Sequence, residues 1–447
     1  MELTEREERK RAAHSALYAP LHEDPIDLDE IFNVMIESLR YHYVGFEQKK
    51  RYFTPTEYRT YILSHHRYNT LTMQMLARSL HQFAADMHDR HLVFHCDDWI
   101  DYRNTALPFR VRAQRDCLYV TETEKDSPLA LGDRIVRIQR MTPEQIRHYM
   151  RYNAFYSTVP ERELWGGYLR MAASVEVERA DGTRELIKLP ALPERPVDYP
   201  IRFEQLDTST AYLRLERLDR DAVAALLSEQ EAAIAGSEKL ILDLRRCVGG
   251  DEDAAWSLLP YLVDQPVSLA ALLDEKGSYV NCTKLNCELR YKALSDYAAS
   301  VSDPEALALL ETERRFYLDH YGKGLCHKAP LESDTQTVSP AAQAPRRVVL
   351  LTDTFCENEG EAFAALCRRC GSKVVTLGRP SMGTLDYFDP ITVALNDHMT
   401  LSYPIAMSVD AYEGRGIAEK GLAPDRYIPW TPEEIRRDVL LDEALAL

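Results

Sequence analysis

Apolar residues fall three and four positions apart through the first hundred residues, in IFNVMIESLRYHYV and again from Leu71 to Phe94. That spacing predicts amphipathic helices, so residues 1–104 read as a helical N-terminal domain. The second stretch closes on Asp89-Arg90-His91. From about residue 106 the texture changes. LPFRVRAQRDCLYVTETE reads as two strands, and Arg134-Ile135-Val136-Arg137-Ile138 alternates after a Gly132-Asp133 turn. TPEQIRHYM predicts a short helix capped by Thr142. SVEVERADGTRELIKL, with Asp181-Gly182 at its centre, predicts a hairpin. Residues 105–195 thus form a β-rich domain, closed by the Pro-rich linker ALPERPVDYP.

After that linker strands and helices alternate. AYLRLERL, KLILDLRR, RRVVLLTD and SKVVTLG predict strands. DAVAALLSEQEAAIA, AAWSLLPYLV and EGEAFAALCRRC predict helices, the last closed by Gly371. This alternation implies a parallel or mostly parallel sheet covered by helices, so residues 196–447 read as an α/β domain. A charged, helical segment at about 270–345 is too long for a simple crossover. It reads as an insertion and a candidate lid.

The 447 residues exceed one typical core, in line with three domains. The 54 basic and 71 acidic residues give a formal charge of −17, which disfavours nucleic acid and anionic membrane surfaces as partners. The charged start, MELTEREERKRAAHSAL, resembles neither a signal peptide nor a membrane anchor. No apolar run approaches the ~20 residues that span a bilayer. A cytoplasmic protein with no membrane partner is the expectation. Nine scattered cysteines suit reduced thiols better than a disulfide framework. The lone pair Cys367-Arg-Arg-Cys370 lacks the further ligands a zinc site needs, so neither metal nor cofactor is expected.

Four segments carry candidate chemistry. In Asp243-Leu244-Arg245-Arg246-Cys247-Val248-Gly249-Gly250 a buried strand ends in a glycine pair, where backbone N–H groups can approach an anion. In the second, Leu351 to Phe363, a strand runs into a helix whose N-terminus offers free N–H groups. The third is Gly378-Arg379-Pro380-Ser381-Met382-Gly383-Thr384, and the fourth runs from Gly416 to Asp425.

In this order the segments resemble the tail-specific (C-terminal-processing) serine peptidases, which include the tricorn core protease and the retinoid-binding repeats. The helical start, its Asp-x-His ending and the 105–195 region, which is similar to a PDZ domain, fit the same resemblance. It implies a crotonase-like (ClpP-like) ββα-spiral catalytic domain, preceded by the helical and PDZ-like domains. It also implies a serine nucleophile, a lysine or histidine base and an oxyanion hole of backbone N–H groups.

Carried over by position, the resemblance puts Asn358 where the serine belongs. Thr384 stands at the lysine position, His91 at the histidine, and Glu419 within about one residue of the expected glutamate. Gly249, Gly250, Glu359, Ser381 and Gly383 would line the oxyanion and substrate. Glu361 matches the motif glutamate and is expected to be structural. A carboxamide nitrogen is no nucleophile near neutral pH, because its lone pair is delocalised. Cys356 is the alternative nucleophile, if the helix N-terminus lowers its pKa and His91 serves as base.

Three functions stay open. One is a degenerate homologue that binds peptides or protein C-termini with lost or reduced proteolysis. The second is a working hydrolase using Cys356 or an unidentified nucleophile. The third is a non-catalytic interaction protein, with a homo-oligomer among its expected forms.

Overall fold

The computed structural model describes residues 27–97, 107–149, 163–170, 172–189, 198–273, 276–330 and 336–447. The stretch before residue 27, the 104/105 boundary and most of the Pro-rich linker lie outside them. The chain packs as two compact units that cross the contiguous boundaries expected from sequence. Unit one gathers Met1–Asp101, Gly277–Ala329 and Asp386–Gly416, and unit two holds Tyr102–Lys276, Pro330–Leu385 and Ile417–Leu447.

In unit one the helices Leu28–Glu37, Pro55–Arg67 and Met73–Ala85 bury Phe32, Met35, Leu80 and Phe83 in one core. Asp27 and Thr72 cap the first and third by accepting backbone N–H groups. The apolar period from Leu71 to Phe94 overstates the last helix. It ends at Ala85, and Val93–Cys96 is a strand. The same core includes residues of an antiparallel sheet, ordered Val93–Cys96, Met399–Ser408, Ser278–Cys282, Gly324–Lys328, with Tyr387–Ala394 also paired to Met399–Ser408. The expected helical insertion does contain the helices Lys284–Ala298 and Pro304–Asp319. It also contains two of these strands, which join the N-terminal helices in one core.

Besides the short pair Val267–Ser268 and Thr337–Val338, unit two has two large sheets among the described residues. One is an antiparallel meander of Phe109–Gln114, Cys117–Thr123, Arg134–Ile138, Ser174–Glu178 and Arg184–Lys188. Its last hairpin turns at Asp181-Gly182, with Gly182 at φ 84°, as the sequence predicts. Thr142 caps the helix Pro143–Tyr149 through its side chain, and Gln145 reciprocates.

The other sheet runs, in spatial order, Ile201–Gln205, Thr210–Leu215, Lys239–Asp243, Arg347–Thr352, Val374–Gly378, Arg426–Tyr427. The first pair is antiparallel and the rest are parallel. Alternate residues of the central strands feed two cores. Leu240, Leu242, Val348 and Leu350 enter one, while Ile241, Val349 and Leu351 enter the other. A sheet covered on both faces needs such continuous apolar strands. The predicted helix AAWSLLPYLV is a 3₁₀ turn, Glu252–Leu258, followed by four α residues, Leu259–Leu262. Pro260 lacks an N–H, so it fits the first turn of a helix but not its interior.

A buried charge cluster joins the two sheets. Asp353, just beyond Arg347–Thr352, accepts from Arg112 of the meander and from Arg379, each at 2.7 Å. Arg379 also bonds Glu434. Burial pushes the Asp353 carboxyl up, but Arg112 and Arg379 outweigh it and hold it well below the usual carboxylate range. Such a group stabilises the fold fully above its unfolded pKa, about 4, and loses that contribution as pH falls towards its folded value. Asp353→Asn leaves two buried guanidinium groups short of an anion. It should destabilise the protein by about 3–5 kcal/mol near pH 7. The gap to wild type should narrow as pH drops below about 4, measured by denaturant midpoints across pH.

Candidate functional site

Three adjacent parallel strands of unit two end level. Leu351 pairs with Asp243, and Thr352 pairs with Gly378. The segments that follow therefore leave the same edge of the sheet side by side: the glycine turn 244–251, the Asn358 turn 353–358 and the loop 379–385. Ligand sites in open α/β sheets favour this edge, beyond the carboxyl ends of the strands.

Hydrogen bonds tie the three segments together. Glu357 N–H donates to Cys247 O at 2.9 Å, and Met382 N–H donates to Cys356 O at 2.8 Å. Asn358 N–H donates to Thr384 Oγ1 at 2.7 Å, and Thr384 Oγ1 donates to Glu361 Oε2 at 3.0 Å. Gly383 and Thr384 N–H reach the same carboxylate at 2.7 and 2.6 Å, and Ser381 Oγ donates to it as well. Glu361 is fully buried. Burial pushes its carboxyl up, and the bonds from Ser381, Thr384 and Gly383 pull it part of the way back.

Asn358 caps the helix Glu359–Cys367 with φ 53° and ψ −130°. A non-glycine residue rarely holds that conformation, which costs on the order of 1–3 kcal/mol and recurs at functional turns. Its carboxamide is not idle, because Nδ2 donates to Val248 O at 3.1 Å. The next residue, Glu359, folds its carboxylate onto the glycine turn, where Oε2 accepts from Gly250 N–H at 2.9 Å. Gly249 (φ 101°) must be glycine here. A Cβ would stand 2.2 Å from Glu359 Oε2 and 2.7 Å from Asn358 Cβ. So a glycine-turn N–H able to hold an anionic oxygen is engaged by the chain's own carboxylate.

The structure thus brings Gly249, Gly250, Asn358, Glu359, Ser381, Gly383 and Thr384 together. Cys356 lies below the surface with no exposure, and burial pushes its thiol well up. Neighbouring Cys247 is pushed up to about 12 by burial. Glu419 sits at φ 70° in the stretch 417–421, and the adjoining Leu422 N–H donates to Ser381 Oγ at 2.7 Å. His91 belongs to unit one. There its N–H donates to Asp89 Oδ1 at 2.9 Å, its Nδ1 stands 4.0 Å from that oxygen, and Tyr43 OH donates to Asp89 Oδ2 at 2.8 Å.

Residues 209–428 match the model of peptidase family S41. The chain carries an S41 peptidase-family domain. The S41 match spans all three segments that meet around Asn358. Among solved structures, mature CPAF complexed with lactacystin aligns at TM-score 0.63 and 12% identity, over 94% of this chain and 97% of that one. A second structure of mature CPAF aligns at 0.62 and 12%, over 93% and 95%. At that identity the likeness is one of fold. No curated protein matches the chain.

Two features of this S41 domain carry no sequence signal. The Asp353 cluster depends on Arg112, 241 residues away, and the Glu359–Gly250 contact joins residues 109 apart. Glu361 was legible as the motif glutamate, but its four bonds to the 381–384 loop were not. Replacing it tests that anchor. In Glu361→Gln one acceptor oxygen becomes an NH₂ group among donors. We expect a loss of about 1–3 kcal/mol, read as a lower denaturant midpoint.

Proposed function

We propose that this S41 protein binds an extended peptide or a protein C-terminus, with lost or strongly reduced proteolysis. The observation that carries the reading is the Asn358 turn. It keeps the strained conformation and the helix N-terminus suited to a nucleophile, yet it presents a carboxamide bonded to Val248 O. The amide nitrogen cannot attack a carbonyl, because its lone pair is delocalised. No lysine amine can act as base from position 384, which is a threonine bonded to Glu361. The largely exposed edge strand Arg184–Lys188 of the PDZ-like meander supports peptide binding by strand addition. The buried, protonated Cys356 weighs against the thiol alternative, since the thiolate is the nucleophile.

The reading is tested with a fluorophosphonate probe and a library of C-terminal peptides. Expected are no covalent labelling, saturable peptide binding by fluorescence anisotropy, and intact peptides by mass spectrometry. Labelling that a single substitution near residue 358 abolishes would overturn it, and so would turnover of any bound peptide. Asn358→Ser alone should not restore cleavage.

Glu359 yields a separate prediction. A ligand oxygen reaching Gly250 N–H must displace its carboxylate, a charged hydrogen bond of about 1.5–3 kcal/mol. Glu359→Ala should therefore tighten peptide binding by roughly 10–100-fold. Unchanged affinity would mean that ligands do not use the glycine turn.

A further inference from the structure

Three cysteines of unit one lie on the strands Ser278–Cys282 and Gly324–Lys328 and the helix Lys284–Ala298. Cys282 ends the strand Ser278–Cys282, and Thr283 caps the helix Lys284–Ala298 that follows. Cys287 is the fourth residue of that helix. The residue before a cap and the fourth residue of its helix are the two positions of a hydrophobic staple, whose side chains touch. Here both are thiols. On the neighbouring strand Gly324 lies opposite Cys282, and Cys326 lies opposite Val280. Cys326 is thus the diagonal neighbour of Cys282 on the same sheet face. The neighbouring Cys287 thiol, burial and then Cys326 hold the Cys282 thiol well above its usual range. Cys282 and Cys287 are buried, and Cys326 is the member that solvent reaches.

We propose that Cys282, Cys287 and Cys326 form a peroxide-responsive thiol–disulfide centre, with Cys326 oxidised first and Cys282 carrying the bridge. The oxidant is hydrogen peroxide or an alkyl hydroperoxide. The Cys326 thiolate attacks one peroxide oxygen, the O–O bond breaks, and the departing oxygen takes a proton. Cys326 is then a sulfenic acid. The Cys287 thiolate takes the Cys282 thiol proton, Cys282 sulfur attacks Cys326 sulfur, the S–O bond breaks, and water leaves with that proton. Two thiols have given two electrons, and hydrogen peroxide has become two waters. The Cys287 thiolate then attacks Cys282 sulfur and expels Cys326 as thiolate, leaving a Cys282–Cys287 bridge.

The surroundings favour Cys287 as the thiolate of the three-cysteine cluster. The hydrogen bond from Cys282 lowers the Cys287 thiol, burial opposes it, and the Gly322 N–H adds to the lowering. A place in the first turn of a helix favours a thiolate in the same direction. The other buried thiols point the other way. Burial pushes Cys356 and Cys367 well up, Cys370 to about 11 and Cys247 to about 12. The Cys367-x-x-Cys370 pair is therefore the internal control.

The test is a hydrogen peroxide titration of the reduced full chain, followed by non-reducing peptide mapping with mass spectrometry. The first product should be an intramolecular bridge from Cys282 to Cys326 or Cys287, formed while Cys367 and Cys370 stay reduced. Cys326→Ser should lose the rapid bridging phase. Cys282→Ser should lose both bridges and leave a Cys326 sulfenic acid that dimedone traps. The wild-type map stands without either variant. Sulfinic acid at Cys326 with no Cys282 bridge would overturn the proposal, and so would an earlier bridge elsewhere.

Discussion

The candidate site depends on the level ending of three parallel strands, Lys239–Asp243, Arg347–Thr352 and Val374–Gly378. Apolar residues on both faces do not fix that register by themselves, since a one-residue slip would still bury apolar groups. The polar ends do fix it. Asp243 is buried and accepts from Tyr212 OH at 2.6 Å and from Arg245, which reaches on to Asp438. Thr352 Oγ1 donates to Arg379 O at 3.1 Å. A slip would leave these groups buried without partners, at a cost of about 1–3 kcal/mol each. Level ends then place the glycine turn, the Asn358 turn and the 381–384 loop beside one another.

On the proposed function, scaffold and reacting groups have parted company at this site. The three segments are held together. Glu361 gathers the third loop, Thr384 supports the Asn358 backbone, and Gly249 allows the close pass between turns. The groups that would react or bind an oxyanion are instead satisfied from within. The Asn358 amide rests on Val248 O, and the Gly250 N–H rests on Glu359. Each internal bond must be broken before a ligand can take its place.

The central strands were legible because KLILD and RVVLL are short continuous apolar runs, and a both-faced sheet requires them. The Asp181-Gly182 hairpin and the Thr142 cap were legible because their chemistry is local. The unit-one sheet was not. Its longest strand, Met399–Ser408, is buried at most positions and carries Pro404, so it shows neither alternation nor a clean apolar run. Two of its partners, Val93–Cys96 and Ser278–Cys282, come from distant stretches, and no local pattern announces such pairing. The same holds for the contiguous domains expected from sequence, because Phe32 and Tyr403 share one core across 371 residues. At the site, the ordered motifs located Asn358, Thr384 and the glycines. Their partners were invisible, since each bond there depends on tertiary position.

The cysteines show why residue type alone misleads about chemistry. Cys356 stands two places from Asn358, where the resemblance would put a nucleophile, at the approach to a helix N-terminus, and sequence proximity makes it the natural thiol candidate. Its side chain turns into the core, and burial decides its state. Cys287 occupies a comparable place near the start of a helix and is also buried. It differs in its neighbours, a thiol donor in Cys282 and a backbone donor in Gly322. Two buried thiols near helix starts are thus driven in opposite directions. Donors aimed at the sulfur, rather than the helix terminus alone, separate a thiol that can react from one that only fills space.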